Sequence, residues 1–130
     1  MDFFYLPMSN LHLTPIASCD ANGQVRYTEA YLSEALSDWM QMPESPSKYQ
    51  ELLLLAENAL GLSDESQALE IYTYVLQQLA FRCRKEVLYR PFADQALTGL
   101  SSLSSSADEY VWEEASQRYS DYHQIIEQAR

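Results

Sequence analysis

Apolar and polar positions alternate with a helical period over most of this chain. From Thr28, Ala30, Tyr31, Ala35, Trp39 and Met42 fall near i, i+4, i+8 spacing, which predicts a helix over about 28–42 that buries one face. Pro43 and Pro46 end it, since proline lacks the amide a helix interior needs and disfavours helical geometry just before it. Ser47-Lys48-Tyr49-Gln50 then fits a capping box: the hydroxyl accepts from the amide three residues on, and the Gln side chain reaches back. The second helix is expected to run to about Leu60, with Gly61 as its stop. Ser63 or Asp64 caps a third helix, and Asp64 and Glu65 suit the positive end of its dipole.

That third helix is expected to continue to about Tyr89, before Pro91. Between Ala68 and Phe81 it is apolar on most sides, and Glu70, Thr73 and Gln77 leave only a narrow polar stripe. A helix of this kind is buried nearly all round, so it is expected at the centre. A fourth helix over about 92–103 turns Phe92, Ala96, Leu97, Leu100 and Leu103 inward. A serine-rich turn follows, and Ser106-Ala107-Asp108-Glu109 fits a second capping box. The fifth helix carries Val111, Ala115, Tyr119, Tyr122, Ile125 and Ile126 on its apolar side. The short connections favour antiparallel neighbours, and no internal repeat suggests a solenoid.

Residues 1–26 read differently. Pro7, Pro15 and Gly23 fall there without a helical period, and His12-Leu13-Thr14 and Val25-Arg26-Tyr27 flank Asp20-Ala21-Asn22-Gly23. Asn-Gly supports the positive φ angles of a tight turn, so a short hairpin is expected. The stretch from Asp20 to Val25 resembles the opening hairpin of PAS sensor domains, but no further strands follow to build a PAS sheet. The fold class is therefore all-α. One acidic domain is expected over 1–130, with an irregular or hairpin segment at 1–26 and a bundle of about five helices over 28–129.

Composition narrows the function classes. The chain has 130 residues, 47% hydrophobic and 21% charged, which supplies one ordinary core and excludes disorder for its bulk. Nineteen acidic residues against eight basic ones give a net charge of -11. Such a field repels nucleic acid and anionic membranes and attracts a basic surface, so neither nucleic acid nor membrane is expected as a direct partner. The longest apolar run, Leu52 to Ala56, is far short of a membrane span. The N-terminus lacks the basic and apolar regions of a signal peptide, so a cytoplasmic location is expected. Cys19 and Cys83 form no C-x-x-C motif, and neither is expected in a disulfide.

No cofactor or metal is expected. His12 and His123 are the sole histidines, and the pair His123 and Glu127 gives two ligands where a site needs more. Gly23, Gly61 and Gly99 are isolated, so there is no phosphate loop, and no Gly-x-Ser-x-Gly elbow occurs. Arg82, Arg84, Lys85 and Arg90 are half of the basic residues. Cations there complement a helix C-terminus and can pair with acidic neighbours; their other use is contact with an anion.

Carboxylates recur at helical spacing, with Glu34 and Asp38 on the first helix and Asp108, Glu109, Glu113, Glu114 and Asp121 on the last. Like charges four residues apart repel, so such strips suit solvent or a cationic partner. Trp112 falls off the stripe of Val111, Ala115 and Tyr122, where an exposed indole would serve a partner or self-association. The function expected is a non-catalytic protein-binding module: an inhibitor, immunity protein, adaptor or chaperone. It would meet a basic protein partner through Glu34, Asp38, Glu109, Trp112, Glu113 and Glu114.

The alternative rests on Arg118-Tyr119-Ser120-Asp121-Tyr122-His123. An Arg, four residues, then a His on the last helix resembles the R-x4-H motif of HEPN domains, all-helical bundles that are often ribonucleases or antitoxin partners. The resemblance implies that Arg118 holds phosphate and His123 handles the proton of an attacking 2'-hydroxyl. Tyr119 replaces the polar residue that usually follows the Arg in that family.

Overall fold

Five helices follow a short hairpin in a computed structural model that describes residues 17–19, 25–27 and 29–128. In the hairpin, β1 (Ala17–Cys19) pairs antiparallel with β2 (Val25–Tyr27), with Ala17 opposite Tyr27 and Cys19 opposite Val25. The first strand is thus Ala17–Cys19, while His12–Thr14 and the Asn-Gly turn lie outside the described residues.

The first helix, α1 (Glu29–Met40), buries Leu32, Ala35 and Leu36 and half-buries Trp39. Met42 is exposed, contrary to its expected place on the stripe. The amides of Gln41 and Met42 bond to the carbonyls of Asp38 and Trp39, three residues back, so the last turn tightens and the chain leaves the helical path. α2 (Pro46–Gly61) begins earlier than the expected box at Ser47. Ser45 is the cap, its hydroxyl accepting from the Lys48 amide at 3.3 Å, and Pro46 takes the first helical position, where a missing amide costs nothing.

Gly61 remains helical, and the left-handed residue is Ser63, at φ 63°. The Asp64 amide reaches the Ala59 carbonyl (2.8 Å) and the Ser63 amide reaches the Leu60 carbonyl (3.0 Å), the paired bonds of a Schellman turn. Asp64 then caps α3 (Glu65–Leu79), its carboxylate accepting from the Gln67 amide. One residue therefore closes one helix and opens the next, which forces α2 and α3 to run side by side.

α3 packs against α2, α4 and α5 and is the central helix. Leu69, Ile71, Val75, Leu76 and Leu79 have no exposed surface. It is shorter than its apolar run suggests. After Leu79 the chain passes through two 3-10 turns, Arg82–Arg84 and Val87–Tyr89, into α4 (Arg90–Leu103). Pro91 sits in the first turn of α4 instead of following a helix end, a position where proline is tolerated. α5 (Glu109–Glu127) is capped by Asp108, whose carboxylate accepts from the Val111 amide at 3.2 Å. Ser106, the expected cap, does something else: its hydroxyl accepts from the Asp108 amide and donates to Glu65 at 2.6 Å. This bond ties the α4–α5 connection to the N-terminus of α3.

The opposite end is held by Glu44. Its carboxylate receives the Tyr49 hydroxyl, the Lys48 ammonium at 3.6 Å and the Arg82 guanidinium. Arg82 also bonds Glu86 at 2.8 Å and lies over the Tyr89 ring, and Tyr89 meets Tyr49 edge-on. Lys48 is buried between the rings of Tyr49 and Tyr74. A buried ammonium is tolerated only when paired, which explains why Lys48 is met by the Glu44 carboxylate and two aromatic rings. Among the described residues, no helix is long and apolar enough to cross a membrane.

Candidate protein-binding face

Val111 and Ala115 are buried against the core, so the opposite side of α5 faces water. At 100° per residue, Glu109, Glu113 and Ser116 occupy that outer side, with Trp112 on one shoulder and Tyr110 on the other. Trp112 is 44% exposed and Tyr110 53%. Two large aromatic rings thus flank two solvent-facing carboxylates within the first two turns of the helix. Asp108 caps this helix and Ser106 anchors its start, so the face is presented on a fixed element.

The other sequence candidates are placed differently. Glu114 is bound by Arg118 at 3.1 Å and is committed to an intramolecular pair. Glu34 and Asp38 are exposed, one turn apart, on α1. That helix packs on α2, whereas α5 packs on α4 and α3, so the two acidic strips belong to opposite ends of the packing order.

Arg118 and His123 do not converge. The Arg118 guanidinium reaches across to α3, meeting Glu70 at 3.3 Å and the Thr73 hydroxyl at 2.9 Å. Burial alone would lower its pKa, but Glu70 and Glu114 outweigh that and raise it. His123 stacks on Tyr119 and pairs with Glu127 at 3.8 Å. It lines an open groove of about 330 Å³ between α4 and α5, together with Asp94, Thr98 and Tyr119. Arg118 does not line that groove.

The basic cluster divides in two. Arg82 is held by Glu44 and Glu86, and Arg90 lies 3.8 Å from Asp94, while Arg84 and Lys85 are exposed. Sequence reasoning missed the residues beside them. Phe81 is 61% exposed, Val87 76% and Leu88 54%. The available signal was the run Arg82 to Glu86, five residues of which four are charged, inside a supposedly buried helix. Among the described residues, no group of three or more His, Cys, Asp or Glu side chains is placed to hold a metal ion. Cys83 is buried, its thiol directed at the Ala80 carbonyl. No protein-family model, curated protein or solved structure matches this chain.

Proposed function

We propose that the chain is a non-catalytic protein-binding module whose contact face is the start of α5, with a basic protein as its partner. The supporting observation is the exposure of Trp112 and Tyr110 beside Glu109 and Glu113. Aromatic rings that leave water on binding supply affinity, and the carboxylates steer and select a cationic partner. Inhibitor, immunity protein, adaptor and chaperone all share this logic. The HEPN-like ribonuclease reading asks more of the chain, because Arg118 would have to leave Glu70, Glu114 and Thr73 before it could hold a phosphate.

The test is purification of the native protein with its partners at low salt, followed by mass spectrometry, in parallel with Trp112→Ala and Glu113→Lys. A basic protein recovered with the wild type and lost from both variants is the expected result. Equal recovery from all three, or RNA cleavage that disappears in His123→Ala, overturns the proposal.

A further inference from the structure

Eight of the nine residues from Phe81 to Tyr89 sort by direction, and the ninth, Glu86, pairs with Arg82. Arg82, Cys83 and Tyr89 turn inward, where Arg82 is clamped by Glu44 and Glu86 and lies 4.8 Å from the Tyr89 ring centroid. Phe81, Arg84, Lys85, Val87 and Leu88 turn outward. Among the described residues, neither Arg84 nor Lys85 makes an ion pair, since Glu86 is taken by Arg82. The result is a knuckle with three exposed apolar side chains and two cations, fixed from beneath by its inward residues. Exposed apolar groups on an anchored turn lose little freedom on binding, which makes them effective contacts. The charge of Arg84 and Lys85 is opposite to that of the chain as a whole, at -11.

We infer that the partner of this knuckle is a second copy of the chain, which offers it the acidic aromatic face at the start of α5. The inference rests on the binding role proposed for that face and names one basic, apolar surface that fits it. Cations Arg84 and Lys85 would meet Glu109 and Glu113, and Phe81, Val87 and Leu88 would meet Trp112 and Tyr110. Within one chain the two surfaces cannot meet. The Ser106–Glu65 bond puts the start of α5 beside the N-terminus of α3, and the knuckle follows the C-terminus of α3. The length of α3 separates them by about 20 Å. Contact between copies is therefore head-to-tail, and each joint leaves one knuckle and one α5 face open for the next. The like net charge opposes close approach, but physiological salt confines that repulsion to a Debye length of about 8 Å.

The experiment is sedimentation equilibrium of the full chain from about 10 μM to about 1 mM, the range in which contacts of this small size form. Leu88→Glu and Trp112→Ala are run alone and mixed, with circular dichroism confirming that each stays helical. The wild type is expected to rise above its 15.0 kDa chain mass with concentration. Each variant alone is expected to stay monomeric. Their equimolar mixture is expected to stop at a 1:1 dimer, because only one intact knuckle and one intact α5 face remain. A wild type that stays at one chain mass overturns the inference, as does assembly that persists in either variant or a mixture that does not pair. If the wild type stays monomeric yet a basic partner still depends on Trp112, self-association fails and the binding role of α5 stands. If that partner is indifferent to Trp112, the binding role itself fails.

Discussion

The hydroxyl-bearing end of the Tyr72 ring fills the space that a side chain at Gly99 would need. A Cβ built on Gly99 would sit 2.6 Å from Tyr72 Cε1, well inside van der Waals contact. This glycine is what lets α4 approach the central helix. In an exposed helix, Gly→Ala stabilises by up to about 1 kcal/mol. Here the sign reverses: Gly99→Ala is expected to destabilise by about 1–3 kcal/mol through overpacking. Urea unfolding checks it, and shrinking the partner with Tyr72→Leu should recover part of the loss in the double variant.

Leu76 tests the place of α3 in the core. It has no exposed surface and lies on the helix that packs against three others. Leu76→Ala is expected to cost about 2–5 kcal/mol, because neighbours on several sides cannot all collapse into the cavity. A loss below about 1 kcal/mol in equilibrium unfolding would contradict the central position of α3.

The central helix was legible because its burial leaves an unmistakable apolar run, and Val111, Ala115 and Ile126 marked the inner face of α5 equally well. Helix starts were less so. Pro46 reads as a terminator of one helix or the first residue of the next, and only the Ser45 cap decides. The break after Leu79 was hidden because no Gly or Pro marks it. Just past the break Arg82 pairs with Glu44, 38 positions earlier, a contact no local period records. Of the site, the exposure of Trp112 followed from its place off the stripe. The commitment of Glu114 was also readable, since Glu followed by Arg four residues later is a favoured helical pair. The knuckle was missed, because Phe81, Val87 and Leu88 look like core residues unless the charged run from Arg82 to Glu86 is taken as the end of the buried helix.

Ser63 occupies the left-handed position of the Schellman turn, at φ 63°, where a side chain crowds the backbone. Ser63→Gly is expected to stabilise the protein by about 0.5–1 kcal/mol, the relief of that strain less the entropy a glycine adds to the unfolded chain. Thermal unfolding should show a raised midpoint. Gly61→Ala is the control, since Gly61 is helical and needs no such freedom.

Tyr49 couples stability to alkaline pH. Burial, then the bond it donates to Glu44 and that carboxylate's charge, push its phenol well above its ordinary value near 10. The folded state therefore keeps a proton that the unfolded state loses above about pH 10. The stabilisation is complete below the unfolded value and falls as pH rises toward the folded one. The slope approaches about 1.4 kcal/mol per pH unit for each such tyrosine. Tyr72, raised chiefly by its burial, acts in the same direction. Urea titrations between about pH 9.5 and 11 should show a steep loss for the wild type and a shallower one for Tyr49→Phe. Equal slopes would show that Tyr49 ionises without unfolding the protein.

Glu113 and Glu114 are adjacent, yet their reversal is expected to have opposite consequences. Glu114 holds Arg118 at 3.1 Å, and Arg118 in turn bridges to Glu70 on α3. A lysine at 114 removes that pair and places a second cation beside Arg118, at a cost of about 0.5–1.5 kcal/mol for partly exposed charges. Glu113 faces solvent one turn from Glu109, so Glu113→Lys relieves a like-charge contact and should leave stability within about 0.5 kcal/mol. Its effect belongs to binding. With a basic partner on the α5 face, Glu113→Lys should slow association most at low salt, and the difference from wild type should shrink as salt screens both. Unfolding curves on the two variants, with stopped-flow association at two salt concentrations, separate the roles. A Glu113→Lys variant that associates at the wild-type rate in low salt would mean that the carboxylates of this face take no part in recognition.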